Sequence, residues 1–247
     1  MNRWRLLGLG LGAYALALIA SAPASLIDAG LQQSSDGRLR LAEARGTLWS
    51  GAGQIELRDR TQRSGVARSV TWKILPAYLL RGQLRCEVGL DLAPQPFPVT
   101  LSLAGVEVAG ADVNLPAAAL GLAAPKLAPL GLTGDLLLRL VRLSIGRNSI
   151  QGNGTLQWRG AGSAYTPISP LGDYELRFEG EGAAVRATLR TLQGPLQLDG
   201  QGSWARGGNP AFQGTARVPP EHLQQLAPLL RMIAVDHGGG NFGLFLK

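Results

Sequence analysis

The chain has 247 residues, a formal net charge of +7 and 34 glycines. This length is enough to bury a hydrophobic core in one large or two smaller domains. The glycine content disfavours long helices, because glycine is costly inside them. The single cysteine, Cys86, excludes an intramolecular disulfide framework and a cysteine-based metal cluster. Basic residues are scattered rather than clustered with aromatic residues, so we expect no nucleic-acid partner.

An apolar segment follows two N-terminal arginines. Residues 1–5 contain both arginines, and residues 6–27 carry no charge. A helix of this length would cross a bilayer core, and its basic flank would stay in the cytoplasm. We therefore predict a cytoplasmic stub at 1–5, a retained single-pass anchor in the bacterial inner membrane at 6–27, and a periplasmic body. The alternative is a cleaved signal peptide with its cleavage site at Ala22-Pro23-Ala24.

Alternation of apolar and polar residues dominates the rest of the chain. It runs through residues 38–49, 83–92, 173–179 and 196–204, and glycines separate many of these segments. A period of two places one face of a strand in a dry layer and the other in water. We therefore predict a mainly β fold, with an N-terminal transmembrane helix followed by a curved antiparallel β-meander sheet or a sandwich with short capping helices.

Three segments outside this alternation favour short helices. Residues 76–81 begin with proline, which suits the first position of a helical turn. Residues 115–129 are rich in alanine and proline and indicate a linker or a cap helix. Residues 219–233 have apolar residues at helical spacing, so we expect one face to pack on the sheet, with a break or kink at Pro228.

Four tryptophans lie in or near the predicted strands. They are Trp49, Trp72, Trp158 and Trp204. We interpret them as structural positions that close the dry layer. The phrases GTLWSG (46–51) and GNGTLQW (152–158) are similar and favour a duplicated unit, with two periplasmic β-subdomains at 28–130 and 131–247. Unrelated strands that each carry an aromatic residue are the alternative.

No group of residues has the arrangement that catalysis or metal binding requires. The His-Gly-Gly-Gly stretch at 237–240 resembles an oxyanion loop, but the chain has no G-x-S-x-G nucleophile motif. Glu175, Glu179 and Glu181 lie in a predicted strand, on a solvated face where like charges stay ionised. We therefore expect no enzymatic activity, no catalytic or cofactor-binding residue, no metal site and no cofactor.

Leu136, Leu138 and Leu140 form an alternating apolar stripe that follows the apolar segment 127–132. On a strongly curved sheet with one uncovered face, this stripe would line a groove for the acyl chains of membrane lipid. The chain would then be a periplasmic lipid-handling module, and its N-terminal helix and β-repeats broadly resemble large periplasmic proteins of the AsmA kind. The alternative is that these leucines pack against a cap helix or a second sheet.

Five phrases, in one order along the chain, carry a resemblance to a known family. They are GTLWSG (46–51), WKILPAYLLRGQL (72–84), GNGTLQW (152–158), PLGDYEL (170–176) and GPLQLDGQGSW (194–204). Together with the N-terminal anchor, they resemble protein N of the bacterial type II secretion system. The four tryptophans match these family phrases as structural positions.

The resemblance implies an accessory inner-membrane protein whose periplasmic body supports the export of folded proteins across the outer membrane. It implies partners among the other components of the system, namely the inner-membrane platform, protein C and the secretin assembly. The family has no known catalytic residues, so none is carried over. Residues 105–130 match the family little, and the resemblance therefore defines no contact surface there.

Overall fold

The computed structural model describes residues 3–37, 39–58, 65–91, 93–123, 125–205 and 211–246. The chain divides into two compact units, residues 1–91 and 92–247. Antiparallel strands hold most of the described residues of the second unit, and in the first unit they follow two N-terminal helices. The mainly β fold that the alternation predicts is therefore confirmed.

The first unit begins with two helices and continues as a four-stranded sheet. Its helices are α1 (Arg3–Ala20) and α2 (Ser25–Ser34), and its strands are β1 (Leu39–Gly46), β2 (Ser50–Arg58), β3 (Gly65–Leu75) and β4 (Gln83–Leu90). The strands pair in chain order, and all pairs are antiparallel. A 3-10 helix at Pro76–Arg81 joins β3 to β4, as the proline at its start predicts.

The core of the first unit lies between α2 and the sheet. Its buried members are Ala24, Leu41, Val70 and Trp72. Ile27 and Leu31 of α2 pack against them. Apolar residues at a spacing of four on α2 thus meet the apolar face of a half-buried sheet.

The apolar N-terminal segment does not form one helix. α1 ends at Ala20 and α2 begins at Ser25, and between them Pro23 forms an isolated antiparallel bridge with Thr47. Proline has no N–H to continue a helix, and its ring clashes with the preceding turn. The prediction of one continuous helix over 6–27 is therefore wrong. Among the residues that the structure describes, no helix has both the length and the apolar character needed to cross a membrane.

The second unit is a longer meander. Its strands are β5 (Phe97–Ser102), β6 (Gly105–Pro116), β7 (Leu132–Gly146), β8 (Ile150–Ser163), β9 (Gly172–Gly182), β10 (Ala184–Gln193), β11 (Gln197–Ala205), β12 (Ala211–Arg217), β13 (Val235–Asp236) and β14 (Asn241–Leu246). Each strand from β5 to β12 follows its chain neighbour in the sheet, β14 pairs with β12, and the two-residue β13 lies beyond β14. Of the two predicted arrangements, the single meander sheet is the one formed in each unit.

Helical segments interrupt the second meander where they were predicted. They are α3 (Ala118–Ala123), α4 (Leu223–Ile233) and 3-10 helices at Pro125–Leu130 and Pro220–His222. α4 runs continuously through Pro228, so of the predicted break or kink the break is wrong, and the kink stays a prediction. Pro228 removes the N–H that would bond the carbonyl of Gln224. Both residues are exposed, so water can bind that carbonyl instead.

α4 closes the core of the second unit. Leu226 and Leu230 have exposed fractions of 0% and 1%. They lie in one cluster with Tyr174 and Leu196 of the sheet side. The buried Tyr174 hydroxyl donates a 2.9 Å hydrogen bond to the carbonyl of Leu196, so this core leaves the phenol paired. Burial raises the pKa of that phenol above its ordinary value.

Candidate functional site

The leucines of the predicted groove lie on one face of the second unit's sheet. Across β7 and β8 the pairs are Leu136 with Trp158, Leu138 with Leu156, and Leu140 with Gly154. Directly paired residues of antiparallel strands project to the same side of a sheet. The three leucines therefore start three rows of side chains that run across neighbouring strands.

The rows through Leu138 and Leu140 continue from β6 to β12. The first contains Val113, Leu138, Leu156, Leu176, Leu189, Gly200 and Gly214, and the second contains Ala111, Leu140, Gly154, Phe178, Ala187, Gly202 and Phe212. We call these two rows the apolar face. All of these residues are apolar or glycine, and the leucines and phenylalanines among them are only half-buried. An extended uncharged surface of this kind is typical of a contact site for an apolar partner.

Glycines on the apolar face make room for its two phenylalanine rings. A Cβ added at Gly200 would lie 2.5 Å from Cζ of Phe212, and one at Gly202 would lie 3.0 Å from Cδ2 of the same ring. Gly154 stands in the same relation to Phe178. The rings therefore lie close over the backbone of neighbouring strands. Sequence reasoning did not identify either phenylalanine as a site residue, although the alternating glycines Gly200 and Gly202 of β11 are a signal that a neighbouring ring needs the space.

The row through Leu136 is covered more fully than the apolar face, of which only part, such as Leu189, packs against the core. Leu136 is 3% exposed, and Trp158 and Tyr174 of the same row pack in or against the core that α4 closes. Leu138 and Leu140 are half-buried. The structure thus separates the three predicted groove residues, because Leu136 is a core residue while the other two lie on the apolar face.

The opposite side of this sheet holds a buried carboxylate, Glu175. Its Oε1 atom lies 2.7 Å from Nε of Arg177 and 2.7 Å from Nη2 of Arg190, and its Oε2 accepts a 3.1 Å hydrogen bond from Gln157. Arg190 and Gln157 are its direct partners on the adjacent strands. The prediction that Glu175 is solvated is therefore wrong. Donors from the adjacent strands bind its carboxylate in place of water, and the alternation within one strand does not reveal them.

The donors around Glu175 keep its carboxylate ionised. The hydrogen bond from Gln157 lowers the pKa of the carboxyl, burial opposes that effect, and the bonds from Arg177 and Arg190 lower the pKa further, so the net pKa lies below its usual range. Each of these side chains comes from β8, β9 or β10. The arrangement therefore acts as an electrostatic tie between three neighbouring strands.

Glu175→Gln is expected to lower the free energy of unfolding at neutral pH by about 1.5 kcal/mol. This is the low end for charge-assisted hydrogen bonds, because both arginines are about half exposed. A carboxyl with a lowered folded pKa stabilises the fold above its unfolded pKa, near 4.5, and loses that effect as the pH falls through the folded pKa. Urea unfolding at a series of pH values should therefore show a difference between wild type and variant that shrinks below pH 4.5.

Glu179→Gln is the matched control for this measurement. Glu179 lies on the same strand and the same face, but its side chain is exposed. We expect its urea midpoint to stay close to that of the wild type at every pH. An equal loss in both variants would mean that the buried tie contributes nothing beyond general surface charge.

Indole N–H groups hold two of the predicted structural tryptophans in matching positions. Trp72, which is 7% exposed, donates to the carbonyl of Thr47 over 3.2 Å, and Trp158 donates to the carbonyl of Thr133 over 2.9 Å. In each case the acceptor lies 25 residues earlier in the chain. Trp204 differs from both, because it is 48% exposed on β11 and does not close a dry layer.

Because the same bond recurs, Trp158 corresponds to Trp72. The similarity of the phrases GTLWSG and GNGTLQW had instead matched Trp158 with Trp49. The indole of Trp49 donates instead to the carbonyl of Ile19 in α1, over 2.8 Å. The two compact units meet after residue 91, and this division does not test a repeat boundary at residue 130. The duplication of 28–130 and 131–247 stays a prediction.

Comparison with protein families gives one match that spans both units. A family model described as type II secretion system (T2SS), protein N, matches residues 37–244. The matched range begins after α2 and ends within β14. No curated protein sequence and no solved structure gives a significant match.

Proposed function

Because the chain belongs to the protein N family of the type II secretion system, we propose that it is a non-catalytic docking component at the bacterial inner membrane. The observation that carries this proposal is the family match over residues 37–244, which includes most of both units. Membership implies that the chain acts in protein secretion together with other components of that system. In the proposed arrangement the β-body lies in the periplasm and supports the passage of folded proteins across the outer membrane.

The proposed membrane location draws support from α1. The side chains of Leu11, Tyr14, Leu18 and Ile19 are 54–72% exposed, although three of the four are aliphatic. Such a surface is costly in water and favourable against acyl chains. A reporter that is active only outside the cytoplasm, fused after Lys247, tests this location, and activity confined to a cytoplasmic reporter would contradict it.

The proposed docking surface is the charged side of the second unit's sheet. Arg139, Arg142, Arg177 and Arg190 carry side chains that are 48–69% exposed. Each of these arginines is paired with a carboxylate of the same sheet. A guanidinium has five N–H donors, so the exposed ones that these pairs leave over could bind carboxylates of a partner protein. The partners proposed are the inner-membrane platform, protein C and the secretin assembly.

Deletion of the gene tests the secretion role directly. We expect a folded exoprotein to accumulate in the periplasm and to fall in the medium, and we expect a plasmid copy of the full chain to restore it. A photocrosslinking residue at position 190 should capture a component of the system in intact cells, whereas one at the exposed hairpin residue Leu103 serves as control. Normal secretion together with no captured component would overturn the proposal.

The apolar face favours a second candidate function, the binding of lipid acyl chains. Its leucines and phenylalanines are half-buried, and its two rows contain no charged residue among the positions described. Native mass spectrometry of the full chain, extracted in a mild detergent, should then detect phospholipid in near-stoichiometric amounts. Leu138→Glu should lose that phospholipid, and Leu103→Glu, at 86% exposure, should keep it. A lipid-free wild type would leave protein docking as the sole candidate.

A further inference from the structure

The segment that follows α1 is tied to the loop between β1 and β2. The Ala22 carbonyl accepts a 2.8 Å hydrogen bond from the N–H of Leu48, and the N–H of Ala24 donates over 3.4 Å to the carbonyl of Gly46. Pro23 and Thr47 form the bridge between these two bonds. We call residues 19–24 and 46–49 the α1 joint. It joins a helix end to a sheet by a short stretch of β pairing rather than by a free linker.

Trp49 supplies the bond that reaches α1 itself. The last carbonyls of a helix have no partner within the helix and need outside donors. The indole Nε1–H of Trp49 donates to the carbonyl of Ile19 over 2.8 Å, one residue before α1 ends. The same carbonyl also accepts a 3.3 Å hydrogen bond from the N–H of Ala22, so the indole adds a second donor, and this one comes from the loop of the sheet.

The sheet holds Trp49 and its loop from behind. The N–H of Ile74, on β3, donates to the carbonyl of Trp49 over 2.6 Å. The indole of Trp72 donates to the carbonyls of Thr47 and Leu48, each over 3.2 Å. Both donors belong to the central strand β3, so the loop that grips α1 has little freedom of its own.

α2 fixes the far side of the joint. Ala24 is 3% exposed and belongs to the core of the first unit. Asp28 accepts a 2.8 Å hydrogen bond from the N–H of Leu41 on β1, and its second oxygen accepts one of 2.7 Å from Gln32. The chain is therefore attached to the sheet on both sides of Pro23.

We propose that Trp49 clamps the end of α1, so that α1 and the first sheet move as one rigid body. The clamp itself does not depend on the proposed secretion role; only the purpose given to it here rests on that role. A membrane-associated α1 held in this way would set the direction in which the first unit faces its partners. GTLWSG is then a positioning loop, with Trp49 as the positioning residue.

Distance measurement between spin labels tests the clamp in the full chain. Nitroxides are placed at Tyr14→Cys on α1 and Ser69→Cys on β3, both exposed sites, in a Cys86→Ala background in detergent micelles. We expect one narrow distance distribution for wild-type Trp49. Trp49→Phe keeps an aromatic ring but removes the N–H donor, so we expect the narrow peak to be lost and longer and shorter distances to appear.

Trp204→Phe is the control, because it removes an indole N–H from an exposed site in the second unit. It should keep the narrow peak. A broad distribution in the wild type, or an unchanged peak in Trp49→Phe, would overturn the clamp. If Trp49→Phe does not fold by circular dichroism, the wild-type distribution decides, since a narrow peak supports the clamp and a broad one overturns it. These outcomes are independent of the secretion and reporter assays, which test the proposed function.

Discussion

Leu226→Ala is expected to destabilise the second unit by about 2–5 kcal/mol, the range for leucine truncations that leave a cavity in a core. Leu226 is fully buried, and its neighbours in the core include Leu230 and Tyr174. Tyr174 is fixed by its hydrogen bond to Leu196 and by strand pairing, so the sheet side cannot move in to fill the space. The urea midpoint of the full chain, followed by circular dichroism, should fall by about 1–2 M.

Leu103→Ala is the matched control, because it deletes the same atoms from a site that is 86% exposed. Leu103 lies in the turn between β5 and β6. Surface substitutions of this kind change the free energy of unfolding by about 0.5 kcal/mol or less. Equal midpoints for the two variants would mean that α4 does not close the core of the second unit.

The meander could be predicted from local pattern, because each strand needs only its chain neighbour to pair. Alternation over 83–92 and 173–179 corresponds to β4 and β9, and the short helical turn predicted at 76–81 is formed, as a 3-10 helix. Glycine and proline between the segments set the bends. When strands that are neighbours in the sheet are also neighbours in the chain, each pairing depends on residues that are close in sequence.

The N-terminal segment shows where such local reasoning fails. Its apolar composition over 6–27 indicates one helix, but Pro23 pairs with Thr47, a residue of a distant loop. Proline was visible in the sequence, yet the partner that stabilises the extended backbone around it was not. The donor that closes the helix end, Trp49, also comes from that loop. Hydrogen bonds to a distant loop therefore determine where the helix ends, and local hydrophobicity does not reveal them.

The site shows the same division between local and cross-strand information. The apolar stripe at Leu138 and Leu140 followed from alternation alone. The burial of Glu175 depended on Gln157 and Arg190 of the adjacent strands, and so required the register. The phenylalanine rings likewise needed the register, because Phe212 lies over Gly200 and Gly202 of the adjacent strand β11 as well as over Gly214 of its own strand.

Trp72→Ala should destabilise the first unit by about 3–5 kcal/mol, as expected for a tryptophan truncated in a core. The indole is 7% exposed and packs in the cluster with Ala24, Leu41 and Val70. Its wall is partly backbone, since a Cβ added at Gly51 would lie 2.5 Å from Cζ2 of the ring. Backbone paired within a sheet relaxes little, so most of the cavity should persist.

The same substitution removes the donor to the carbonyls of Thr47 and Leu48, and we therefore expect a second, local effect. Hydrogen exchange at the N–H of Leu48, which bonds the Ala22 carbonyl, should become faster than in the wild type. Trp204→Ala removes the same side chain from a site that is 48% exposed, and should change neither the stability of the first unit nor that exchange rate. If the two variants lost equal stability and showed the same exchange rate, burial would not predict how much each tryptophan contributes to the first unit. Trp72 would then lose its role as the residue that links the core of the first unit to the end of α1.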